Sequence, residues 1–303
     1  MNNSKFNGLY QSLLSEEIKE RAEKIIIWIS ITSFVLHLVL IGLVNLDLLH
    51  LPIESELLTN PISAIYTPFS FILLFEVYLL VYHIPQSTSD YIAKQYEIIT
   101  LIVIRRIFKD IAHLDLSINW FEDKYDLLFT YDIITALLLF ALIYVFHRLN
   151  DKKVTKKIKN LPEQVQHFIA RKKAMATLLV PIIVIMACYS LSVWLIELFT
   201  ILTTDNPESI EFMNVNNIFF DEFFTLLILT DVLLLLFSFF HTTKFHLFIR
   251  NSGFIISTIL IRISFSIDGI VNNLLIVVAV SFGVLILLVN KQYVKLSDKK
   301  LKV

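Results

Sequence analysis

Long apolar runs separated by short polar connections dominate this chain. Eight of them, 25–46, 64–84, 92–112, 127–147, 175–203, 219–241, 247–267 and 270–290, reach about the 20 residues that a helix needs to cross a bilayer. The expected fold is therefore all-α and integral to a membrane, with eight transmembrane helices. Ahead of the first run, Leu9, Tyr10, Leu13, Leu14 and Ile18 fall near helical spacing with Glu and Lys between them. That spacing predicts an amphipathic N-terminal segment over 1–24, either lying at the membrane interface or capping the bundle. The segment is polar and no small-residue cleavage site follows the first run, so that run is expected to stay in the membrane. Pro68 and Pro181 stand near span ends as candidate kinks.

The polar connections differ in charge. The segment 148–173 and the tail 291–303 are rich in Lys and Arg, whereas 47–63 and 204–218 contain neither. Positive loops stay on the cytoplasmic side. With eight spans, both termini are then cytoplasmic. The basic segment 148–173 divides the chain into a first four-helix repeat, 25–147, and a second, 174–290. Because each half begins on the same side, the repeats are parallel, related by an axis along the membrane normal. Within the linker, Asn160 and Glu163 frame a helix start, which predicts a short helix over 161–172 on the inner leaflet. Its lysines either attract anionic lipid, at about 1 kcal/mol each, or only set topology.

Charges recur inside the apolar runs. Glu76 stands in the second run, Arg105, Arg106 and Asp110 in the third, and Asp132 near the start of the fourth. About 155 residues later the order returns, with Asp231, Arg262 and Asp268. Asn272 and Asn273 stand at the stage of the last span that corresponds to Asp132. A charged side chain at the centre of a membrane helix costs about 2.5–3.5 kcal/mol, so four would cost roughly 10–14 kcal/mol. Such groups must pair or line water. Matching depth suggests Glu76 with Arg105, Asp231 with Arg262, and Asp132 sharing Arg105 or Arg106 through the bidentate geometry arginine favours. These charges are either buried salt bridges that set helix register or parts of a hydrated ion path.

Composition agrees with a membrane bundle: 56% of residues are hydrophobic and 17% charged, and the mean hydropathy is +0.71. Soluble domains run nearer 45–50% apolar and about 25% charged. A net charge of −1 and the lack of a basic groove argue against nucleic acid as a partner. Cys188, the single cysteine, forms no internal disulfide and is read as a small buried hydrophobe. With 25 Phe and only 5 Gly, bulky side chains rather than GxxxG contacts are expected to fill the bundle. Metal-protease, nucleophile-elbow, phosphate-loop and dinucleotide motifs are missing, so no enzyme, metal site or cofactor is expected. His83 and His241 suit interfacial positions, while His37 and Glu197 are isolated polar groups that line a cavity if one is present. Arg105, Arg106 and Lys109 do not repeat every third residue, which argues against a voltage sensor.

The order Asp231, Lys244, Arg250, Arg262, Asp268, and its echo Glu76, Lys94, Arg105, Asp110, Asp132, resembles PsiE, the phosphate-starvation-inducible protein E family. That family is a four-span inner-membrane protein, and the likeness extends over both halves, as in a tandem duplicate. The resemblance implies a location in the bacterial cytoplasmic (inner) membrane and a role linked to stress. Two functions are then open. One is a small-ion channel or transporter working through the charged seam. The other is a membrane-embedded sensor, scaffold or effector acting through a partner, a second copy of the chain or the membrane lipids.

Overall fold

The computed structural model describes residues 3–48, 60–111, 124–150, 163–203, 215–239, 245–267 and 269–300. Among them every regular element is helical: α1 (Asn3–Leu14), α2 (Glu16–Asn45), a 3₁₀ turn (Pro61–Ile65), α3 (Tyr66–His83), α4 (Thr88–Ile111), α5 (Lys124–Asn150), α6 (Glu163–Thr203), α7 (Val215–Phe239), α8 (Phe245–Ser264) and α9 (Ile270–Lys300). Each expected span lies on one of these helices. Asp268, His241, the linker stretch 151–162 with Asn160, and the Glu197 side chain lie outside the described residues.

Among the described residues seven stretches are long and apolar enough to cross a membrane: Gly8–Asn45, Pro61–His83, Asp126–Asn150, Val165–Ser190, Glu222–Phe239, Phe245–Ser264 and Ile270–Leu296. This is a multi-pass membrane protein. The expected span at 92–112 is a helix, α4, but it is not among the seven. Lys94, Glu97 and Arg105 fall in every stretch of span length within it. A second departure concerns 161–172. No separate helix lies there; α6 runs unbroken from Glu163 for 41 residues, with Pro181 inside it. Pro68, by contrast, sits in the first turn of α3, where a helix has no use for its missing N–H.

By their internal contacts the described residues form two compact units. The first draws on Met1–Val81, Phe108–Leu114 and Thr177–Phe224. There Ser15 caps α2, its hydroxyl accepting from the Ile18 N–H at 3.3 Å, with Glu16 and Glu17 at the positive end of the helix dipole. The Tyr78 hydroxyl donates to the Leu13 carbonyl at 3.0 Å, tying α3 to the end of α1. His37 is not isolated: its Nδ1 lies 2.5 Å from Thr67 Oγ1. Phe69 stacks on Phe108 at 4.9 Å. Much of the apolar surface of α2 faces outward, Trp28 at 70% exposure and Leu36 at 63%, as on a lipid-facing helix, while Ile41 turns inward. Cys188 is exposed rather than buried, on the outward stripe of α6 that also carries Val184, Ile185 and Tyr189.

The second unit comprises Tyr82–Ile107, Asp115–Ala176 and Thr225–Val303. Its core is α9, packed against both α8 and α5. Tyr96 of α4 reaches in, its hydroxyl 2.7 Å from Ser257 Oγ, which donates in turn to the Ala279 carbonyl at 2.6 Å. Phe146 meets Tyr96 edge-on at 5.2 Å and lies 5.7 Å from Phe254. Bulky rings fill this core as the composition implies, but two glycines make room for them. A β-carbon on Gly253 would stand 2.7 Å from the Ile286 side chain, and one on Gly283 would overlap the Tyr96 hydroxyl.

Candidate functional site

Of the charges singled out in the sequence, Glu76 is buried on α3 in the first unit, and Asp110 ends α4 there, half-buried. Arg105, Arg106, Asp132, Asp231 and Arg262 belong to the second unit, with both aspartates buried and the arginines half-buried. That unit assembles two polar centres.

The first centre is built on Arg106. Its Nε and Nη2 both donate to the Asp132 carboxylate, the latter at 2.7 Å, so the pair is bidentate. Asp132 was expected to share Arg105 or Arg106; Arg106 is its partner. Two more acceptors come from α9: Asn272 Oδ1 takes Nη1 at 2.9 Å, and Asn273 Oδ1 takes Nη2. Asn273 Nδ2 donates back to Asp132 at 2.6 Å, and Asn272 Nδ2 donates to the Ser264 and Ile267 carbonyls at 2.7 and 3.0 Å. The Asp132 side chain is 3% exposed and that of Arg106 32%. Electrically neutral and saturated with charge-assisted hydrogen bonds, this centre rigidly joins α4, α5 and α9.

The second centre surrounds Asp231, and here depth matching misleads. Its hydrogen bond comes from Gln95 Nε2 of α4 at 3.1 Å, not from Arg262. Arg262 lies on the last turn of α8. Asp231 is in mid-helix on α7, within an inward stripe formed by Phe224, Leu227, Leu234 and Ser238. The cation nearest in role is Lys172, which the sequence assigned to the surface of the basic linker. It is 3% exposed. Its ammonium donates to the Gln86 carbonyl at 2.8 Å and lies 5.1 Å from the centre of the Phe168 ring. Among the described residues no carboxylate closes on it within ion-pair distance.

Between these groups is a cavity of about 20 Å³, lined by Tyr91, Lys172, Asp231, Ser238 and Asn251 together with apolar neighbours such as Phe254. That is room for one water molecule. The Asn251 amide donates to Ser238 Oγ at 2.9 Å. The Tyr91 hydroxyl is buried on the wall of this space, close to Gln95 and Asp231. Four helices, α4, α6, α7 and α8, thus converge on a small space with mostly apolar walls, into which an acid and a base are set apart.

Lys172, Gln95 and Tyr91 were missed in the sequence. Lys172 is disguised by its run of basic neighbours, yet Phe168, Lys172, Ala176 and Leu179 share one face at helical spacing, and that stripe is the legible sign that it turns inward. Gln95 and Tyr91 carry no comparable mark.

Along the same first turns of α4, Glu97 bonds Lys94 and lies 2.8 Å from His147 Nε2, while Asn150 Nδ2 donates to Asp90 at 2.5 Å. These contacts tie the start of α4 to the end of α5. No group of His, Cys, Asp or Glu among the described residues is arranged to hold a metal ion. No protein-family model, curated protein or solved structure matches this chain.

Proposed function

We propose that this protein is a channel or transporter for a small ion, with the Asp231 cavity as its working site. The observation that carries the reading is the contrast between its two buried aspartates. Asp132 closes directly on Arg106, as a pair that only holds helices together does. Asp231 instead accepts a neutral amide, while an equally buried lysine faces the same small space. Keeping two buried charges apart forfeits the attraction that would offset their desolvation. A site that must bind and release an ion needs that arrangement; a structural brace does not.

The membrane arrangement that goes with this reading has eight spans in two parallel repeats, with α4 as the eighth and both termini cytoplasmic. From Tyr91 to Val103 only Leu101 of α4 is exposed, and a helix screened from lipid by its neighbours has no need to be apolar throughout. Asp132 and the pair Asn272–Asn273, at corresponding stages of each half, both reach Arg106, which favours duplication. The basic 148–173 segment and tail favour cytoplasmic termini. The likeness to PsiE favours a bacterial inner membrane.

Ion flux into proteoliposomes tests the function. Purified protein is expected to dissipate an imposed ion gradient, and Asp231→Asn to abolish this while expression and folding persist. Silent vesicles under proton, alkali-cation and anion gradients would refute transport and favour the alternative of a sensor or effector acting through a partner.

A further inference from the structure

We infer that the Asp231 cavity is a proton-binding site, in which a single water bridges the Lys172 ammonium to the Asp231 carboxylate and Asp231 is the group that gains and loses the proton. This rests on the transport reading only for its physiological use, not for its chemistry.

The size of the cavity and the two charges on its wall select the ligand. About 20 Å³ is room for one water molecule. A metal cation placed there would lie against the Lys172 ammonium, and a halide against the Asp231 carboxylate. A proton alone can neutralise the acid without occupying the space. The wall supplies what a bridging water needs: the Lys172 ammonium and the Tyr91 hydroxyl as donors, and the Asp231 carboxylate, which accepts from Gln95 at 3.1 Å, as acceptor. Uptake is balanced simply. A hydronium ion reaching the cavity gives its proton through the water to a carboxylate oxygen of Asp231; carboxylate becomes carboxylic acid and one water is released.

The groups that bias this equilibrium come from every helix around it. Gln95 and Tyr91 of α4, Lys172 of α6 and Thr258 of α8 surround Asp231 itself. Asp90 of α4 and Arg250 of α8 act on Lys172. Protonation of Asp231 leaves the cavity with one net positive charge, that of Lys172.

The test is infrared difference spectroscopy of the full-length protein in nanodiscs as pH is varied. A carbonyl band from a protonated, buried carboxyl group is expected to grow as pH falls, to shift in D₂O, and to vanish in Asp231→Asn. Lys172→Gln removes the favourable charge and should raise the midpoint by about one pH unit, a shift that a purely structural lysine would not produce. Tyr91→Phe, which deletes only a hydroxyl, should raise it in the same direction and serves if Lys172→Gln fails to fold. A wild-type spectrum with no band that Asp231→Asn removes would overturn the proposal, as would a midpoint indifferent to both substitutions. Proton flux measured with a pH-sensitive dye separates this from transport. Titration without flux upholds the site and removes its use in transport; flux of another ion without titration overturns the site and leaves transport standing.

Discussion

The Tyr96 hydroxyl lies 1.8 Å from where a β-carbon on Gly283 would stand. Tyr96 is wholly buried, and its oxygen is held by Ser257, so the ring has no easy retreat. Gly283→Ala should therefore displace the hydroxyl and its hydrogen bond together, costing about 2–3 kcal/mol in stability. Thermal unfolding in detergent checks this. Tyr96→Phe in the same background should recover part of the loss, because the clashing oxygen is gone. Equal, additive losses would show that the two residues are not in contact.

Breaking the Arg106 centre should be costly in a different way. Removal of one partner of a buried ion pair costs about 3–5 kcal/mol, and the partial exposure of Arg106 places this one near the lower end. Asp132→Leu and Arg106→Met should each lower the melting temperature sharply. The double variant should be less damaged than the sum of the two, since no charge is left unpaired. Variants that still fold should retain ion flux, in contrast to Asp231→Asn.

Lys172 should behave unlike the lysine beside it. Lys172 is 3% exposed, whereas Lys173 is half-buried. An amine-reactive reagent applied to permeabilised membranes, followed by peptide mass spectrometry, should modify Lys173 several-fold faster than Lys172. Unfolding in denaturant should abolish the difference. Equal labelling in the native protein would contradict the burial of Lys172 and remove the base from the cavity.

The His37–Thr67 contact at 2.5 Å predicts a modest effect. Thr67→Val keeps the shape and deletes the hydroxyl, leaving a half-buried imidazole without that partner. The expected loss is about 1 kcal/mol, read as a lower melting temperature with flux unchanged.

Much of this molecule was legible in the chain. Apolar runs of span length have to be helices, because lipid offers no partner for backbone N–H and C=O groups. Among the described residues each of the eight runs falls mainly on a helix, seven stretches being long and apolar enough to cross a membrane, and the intramembrane acids were recognisable as exceptions to be explained. Which acid meets which base was not legible. Depth along a span follows from counting residues, and by depth Asp231 matched Arg262. Contact also depends on which way each helix is turned about its axis, and one residue turns it by about 100°. That rotation is set by the packing of all the neighbours at once. It directs Arg106 to Asp132 and to Asn272 and Asn273, brings Gln95 to Asp231, and turns Lys172 from a supposed membrane surface into the wall of a buried cavity.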